Sequence, residues 1–309
     1  MLAVGLLPAA AACSTPQTDW LRRHPDALPA KGAVERPVFF AQRTKECGPA
    51  ALAMVLAQSG LRIGPDELVG DVYNLGREGS LTPAVVAAAR RRGRIAYPVD
   101  SLRSVLRSVN RGRPVIVLQN LGLDIFPRWH YAVVVAYDLG EESITLHSGK
   151  TEFLKMPLTT FEHTWSRGGH WGLLTLRPGE FPEPVEEKTY VTAVAGVERA
   201  GQVRVAARAY EAATKRWPRN LIAWIGLGNT LYKLNDRRGA AAAFRTAAER
   251  HPKSAAALNN LAHVLAELGE FGEAEQAARK AVAVGGPSQP TYRKTLESIL
   301  DRRNRDGAS

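Results

Sequence analysis

Pro218 and Pro252 stand 34 residues apart, and Gly286-Pro287 falls at the next step. A repeat of that length is a unit too small to bury its own apolar face. Neighbouring copies must therefore stack, and the stretch can fold only as a repeat array. From Leu221, apolar and small residues fall at Trp224, Leu227, Gly228, Ala240, Phe244 and Ala247. The next copy carries Leu258, Leu261, Ala262, Ala274 and Ala281, and the one before carries Ala206, Tyr210 and Ala213. The spacing predicts a helix pair per copy, with the least typical helix over about 187–198 and a capping helix over residues 291–303. About two and a half to three copies are present, near the minimum for a continuous core. Trp224 and Phe244 are expected to pack rather than to touch a ligand.

This arrangement of residues resembles the tetratricopeptide repeat, and the resemblance implies an all-α solenoid over 187–303 that binds a protein partner. The chain ahead of it reads differently. A helix is predicted from Pro49 to Gln58, closed by Gly60, and another from Pro65 to Tyr73. A third runs to Arg92, with Thr82 as N-cap, Pro83 at the first position and Gly93 as stop. Apolar runs then suggest strands at Pro114–Gln119, His130–Tyr137, Ser143–His147 and Trp171–Leu176. Helices followed by an antiparallel sheet make an α+β domain, and residues 181–186 read as a linker.

Within this domain, Gln42-Arg43-Thr44-Lys45-Glu46-Cys47-Gly48-Pro49 leads into the apolar helical run 50–56. Pro49 suits the start of a helix, so Cys47 is placed beside unsatisfied backbone N–H groups and the positive end of the helix dipole. That setting favours thiolate, the nucleophilic form, and predicts an apparent pKa below the ~8.5 of free cysteine. Downstream, Trp129-His130-Tyr131 puts an imidazole at the mouth of an apolar strand. A cysteine on a helix N-terminus with a histidine on a distant strand is the arrangement of papain-like nucleophilic catalysis.

Gln-x4-Cys-Gly-Pro-Ala-Ala-Leu-Ala-Met-Val-Leu followed by Trp-His-Tyr-Ala-Val-Val-Val resembles the peptidase C39-like domain, a branch of the papain-like cysteine peptidases. The resemblance covers roughly residues 36–180. It implies that Cys47 attacks a carbonyl, that His130 is the general base and that Gln42 helps to form an oxyanion hole. It implies no cofactor and no metal. The third group, an aspartate or asparagine on the next strand in these families, has no counterpart here. Asp138 lies eight residues along the same strand, about 26 Å from His130 at ~3.3 Å per residue. If residues 139–142 turn the chain, it returns to the His130 end near Ser148, whose hydroxyl can accept from the imidazole N–H. Asn120 and Asp124 are the alternatives, and His147 should face the other side of its strand.

Residues 1–12 are apolar and end in small residues before Cys13-Ser14-Thr15. They resemble the end of a bacterial lipoprotein signal peptide, which implies lipidation of Cys13 and an outer-membrane anchor facing the periplasm. Twelve residues are too few to span a bilayer, and residues 13–35 read as a tether. With two cysteines there is no disulfide framework. The formal charge of +11 is scattered and has no nucleic-acid motif beside it, so nucleic acid is not an expected partner. Two functions fit: an envelope cysteine peptidase acting on a protein or peptide, and a weakly active or inactive papain-like domain carried on a binding scaffold. Acyl transfer or hydrolysis of a non-peptide amide would use the same residues. No Walker motif is present, so leader processing by an exporter does not follow from the fold.

Overall fold

A computed structural model describes residues 14–306. They divide into two compact units, one reaching to Arg177 and including Phe181–Val185, the other formed by Pro178–Glu180 and the chain from Glu186. The first unit runs α1 (Pro16–Arg23), β1 (Lys31–Ala33), α2 (Cys47–Gln58), α3 (Asp66–Val72), β2 (Tyr73–Asn74), β3 (Gly79–Ser80), α4 (Thr82–Arg91), β4 (Ile95–Val99) and α5 (Leu102–Asn110). It continues β5 (Val115–Asn120), β6 (Trp129–Asp138), β7 (Ser143–Ser148), β8 (Thr151–Pro157), α6 (Leu158–Ser166) and β9 (Gly172–Leu176). An antiparallel sheet in the order β4-β9-β5-β6-β7-β8, with β1 paired to β6, is its frame. This is the expected α+β architecture.

The helix α2 is apolar on every side, so it must be covered on every side. Residues 48–56 are all buried. Residues 50–56 share one core with Tyr131, Val133 and Val135 of β6, Ile116 of β5, Leu173 of β9 and residues of α3 and α4. The first residue of α2 is thereby fixed against the sheet at the start of β6.

Several local expectations are corrected. The helix α2 begins at Cys47 rather than Pro49. Pro49 is therefore its third residue, tolerated because the N–H it lacks would be an orphan there too. Thr82 is the first residue of α4 and makes no cap bond; Leu81 occupies the N-cap. The strands β4 and β8 were not foreseen. Both lie at the edges of the sheet, where Pro98 costs no ladder bond and where β8 shows an exposed, polar pattern. Residues 181–186 are held rather than loose: Arg113 donates to the Phe181 carbonyl at 2.7 Å, and Arg111 pairs with Glu183 at 2.6 Å.

The largest correction concerns residues 14–35, expected as a tether. They form α1, a short 3₁₀ turn at Pro25–Ala27 and β1. The buried Glu162 carboxylate of α6 receives the N–H groups of Gln17 and Thr18 at 2.8 and 2.7 Å, and the Thr18 hydroxyl at 2.6 Å. The orphan donors of the first turn of α1 are thus satisfied from another element. Composition alone, rich in Pro, Ala and charge, did not reveal it.

The second unit is helical: α7 (Glu187–Arg199), α8 (Val203–Arg216), α9 (Leu221–Lys233), α10 (Arg237–Arg250), α11 (Ala255–Glu267), α12 (Phe271–Val284) and α13 (Gln289–Asp306). Its small residues are steric requirements. A Cβ on Gly226 would lie 2.4 Å from the Tyr210 ring, and one on Gly228 2.4 Å from the Phe244 ring. Phe244 is buried in the repeat core and Trp224 packs against it, as expected of both. Among the described residues no helix is long and apolar enough to cross a membrane.

Candidate active site

The segment before α2 is pinned from several directions. The Gln42 N–H donates to the Gly149 carbonyl at 3.0 Å, and Glu46 N–H closes a turn onto Arg43 at 3.1 Å. Arg43 pairs with Asp66 at 2.8 Å, and Lys45 pairs with Glu78. Lys45 holds a left-handed φ of 66°. A non-glycine residue keeps that conformation only where its surroundings impose it.

The glycine in Cys-Gly-Pro has a local cause. A Cβ on Gly48 would sit 2.3 Å from Ser80 Oγ and 2.4 Å from Ser80 Cβ. Bare backbone at position 48 lets β3 lie against the first turn of α2. Tyr131 secures the same strand by donating its hydroxyl to the Ser80 carbonyl at 3.3 Å. Gly48→Ala is therefore expected to destabilise the unit by about 1–3 kcal/mol through overpacking. Adding Ser80→Gly should restore part of the loss. Thermal unfolding of the single and double variants checks this; a fully tolerated Gly48→Ala would contradict the packing account.

The backbone N–H groups of Tyr131, Gly48 and Cys47 itself lie against the Cys47 sulfur and favour thiolate. Burial outweighs them and pushes the thiol above its ordinary pKa. The expected low thiol pKa is thus overturned. The helix terminus supplies what was foreseen, but the sulfur is too far removed from water for that to prevail.

The imidazole has the counterpart environment. His130 Nε2 lies 2.8 Å from Ser148 Oγ, the partner that the strand-return argument selects. Burial, helped by the Arg128 charge, lowers its pKa below the ordinary imidazole value. Ser148 pairs with Thr151 across a tight turn whose Gly149 has φ +63°. A Cβ on that glycine would touch the Gln42 amide at 3.9 Å. Gln42, Ser148 and His130 are therefore neighbours, and Cys47 Sγ meets the N–H of the residue next to His130. Cys13 lies outside the described residues.

The alternatives for the third group are placed elsewhere. Asn120 Oδ1 accepts from the N–H groups of Gly122 and Arg128 at 3.0 and 2.8 Å, closing the β5–β6 loop. Asp124 is exposed. Asp138 pairs with Lys31 at 2.8 Å at the far end of β6. His147 faces away from Ser148, sits between the Phe39 and Phe153 rings and lies 3.2 Å from the Val38 carbonyl.

A cavity of about 620 Å³ opens beside Cys47, with Gly79, Ser80, Leu81, Leu118, Trp129 and Tyr131 in its wall. Sequence reasoning passed over Ser80, Leu81 and the Tyr131 N–H. No spacing rule links β3 to the cysteine, and only the three-dimensional packing brings them together. Among the described residues no cluster of His, Cys, Asp and Glu is suited to a metal ion.

Residues 36–171 match the model of the Peptidase_C39 like family, and residues 198–236 and 225–290 match that of the tetratricopeptide repeat. The solved structures similar to the chain include a C39-like peptidase candidate from Bacillus anthracis, at 18% identity and TM-score 0.41, covering 48% of this chain and 98% of that one. A type III secretion translocator chaperone of Yersinia enterocolitica, SycD, is similar at 17% identity and TM-score 0.37, covering 40% of this chain and 90% of that one. The TPR2B domain of yeast Sti1, in its pHsp70 complex, is similar at 18% identity and TM-score 0.36, covering 38% of this chain and 98% of that one. No curated protein matches the chain. The chain thus carries a C39-like α+β domain followed by tetratricopeptide repeats.

Proposed function

We propose that this C39-like domain is a cysteine peptidase of the bacterial envelope and that its repeats bind a protein partner or the substrate itself. The observation that carries the reading is the His130–Ser148 contact at 2.8 Å beside Gln42, with the backbone N–H of the neighbouring Tyr131 favouring the Cys47 thiolate. With Nε2–H donating to Ser148 Oγ, the His130 Nδ1 keeps its lone pair. The Cys47 thiol gives its proton to Nδ1 as Sγ attacks the substrate carbonyl. Gln42 donates to the oxyanion that forms. The imidazolium then returns the proton to the leaving amine, leaving a thioester on Cys47. Water hydrolyses that thioester with His130 again as base.

Because burial raises the thiol and lowers the imidazole, the resting pair is neutral rather than a thiolate and an imidazolium. Ser148 orients the ring without supplying the negative charge that would stabilise imidazolium. Two results follow. Turnover should fall only below the ~6.5 of an ordinary histidine, since imidazolium cannot accept the thiol proton and His130 stays neutral to lower pH. Ser148→Asp should raise the His130 pKa by about 1–3 units and move that acid limb upward with it. Iodoacetamide alkylation of Cys47 should rise above the ~8.5 of free cysteine in the native protein and at lower pH in Ser148→Asp. A native acid limb at or above that of free histidine would refute the neutral pair.

A second reading has an observation of its own: the raised thiol and the missing carboxylate suit a papain-like domain that binds without cutting. An activity-based thiol probe separates the two. Labelling of native protein and its absence in Cys47→Ala supports the peptidase; an unlabelled, folded native protein supports the scaffold.

A further inference from the structure

The exposed apolar side chains of the first unit are not scattered. Among its described residues, and apart from Phe153, the large exposed hydrophobics all lie on two segments, residues 75–81 and 121–129. Each segment puts one of them into the wall of the Cys47 cavity: Leu81, 43% exposed, and Trp129, 56% exposed. Leu118 and Tyr131 line the cavity deeper in. Large apolar side chains left exposed at the mouth of a cavity mark a binding site. Of the charged side chains in the wall, Lys45 and Glu78 pair with each other and Arg77 is exposed to solvent. At about 620 Å³ the cavity falls within the size of ordinary ligand sites, large enough for more than one side chain.

The wall also carries backbone. Gly79 contributes bare main chain, and among the described residues β3 pairs with β2 alone, in a two-stranded sheet whose Ser80 carbonyl accepts from Tyr131. An extended peptide can approach a glycine closely and add its own hydrogen bonds to such an edge. An acyl chain has no use for that edge. Cys47 forms part of the same wall, so whatever carbonyl it attacks belongs to the occupant of this cavity.

We infer that the substrate is an extended peptide with a large apolar side chain, Leu or Phe in size, next to the scissile bond, and that Leu81 and Trp129 select it. This rests on the reading of Cys47 as nucleophile. A glycine at the same place would leave the apolar wall uncovered.

The test uses the full chain and three thiol-reactive acyloxymethyl ketones: a dipeptidyl probe ending in Leu, the same probe ending in Gly, and an alkyl ketone of equal apolar size without peptide bonds. Rates are referred to iodoacetamide. The Leu probe should label Cys47 at least about tenfold faster than the Gly probe and faster than the alkyl probe. Leu81→Ala and Trp129→Ala, both at exposed positions, should reduce the preference to below about threefold, with an unchanged thermal unfolding curve as the sign of an intact fold. Equal Leu and Gly rates would overturn the apolar preference and leave the nucleophile reading standing. An alkyl probe as fast as the Leu probe would overturn the peptide class. If iodoacetamide labels Cys47 but no ketone does, the cavity is not a substrate cleft and the peptidase reading falls with the inference.

Discussion

Replacing His130 by Ala lowers kcat/KM by about 10³–10⁴-fold, the upper range for a positioned general base, while the protein stays folded. The size follows from the resting state. A preformed thiolate could attack unaided, but Cys47 is held as a thiol by burial, so every turnover needs a base at the moment of attack. Cys47→Ala should leave only background hydrolysis, and the double variant should be no worse than Cys47→Ala alone, as expected for residues that act as one unit. His130 is only half-buried at the start of a strand, so its truncation should cost little stability. Unfolding curves alongside turnover check this. Activity that survives in His130→Ala would refute the pairing.

Gln42→Ala should lower kcat by about 10²–10³-fold, the range for removing one oxyanion-hole donor. It should leave iodoacetamide labelling of Cys47 nearly untouched. The two readouts separate because the amide acts on the developing oxygen of the substrate, not on the sulfur. The side chain is held near Gly149 by the backbone bond of its own residue, so the truncation should not dislodge the loop. If labelling and turnover fall together, Gln42 positions the cysteine instead of stabilising the oxyanion.

The parts of this site that could be read in advance are those set by local pattern. The apolar runs at 50–56 and 131–137 predict one buried helix and one central strand. The return of the chain through residues 139–142 brings Ser148 back to the His130 end, because side chains on paired strands meet at fixed spacing. The unread parts depend on what lies across from a residue. Edge strand β8 lacks the apolar signal of buried ones, and in β4 that signal is short and broken by Pro98. The contact of Ser80 with Gly48 joins segments with no spacing rule between them. The direction of the Cys47 shift turned on how much protein covers the sulfur, whereas the helix terminus was visible in the chain itself.

The grip of Glu162 on the first turn of α1 sets a length scale for whatever is joined to the chain just before it. Residue 13 precedes Pro16 by three positions, and three residues reach no more than about 10–11 Å even when fully drawn out. An acyl group on Cys13 would therefore leave this unit on no leash at all. With that group in a membrane, the unit would ride at the bilayer surface and reach peptides presented there, while those farther away would have to come to it.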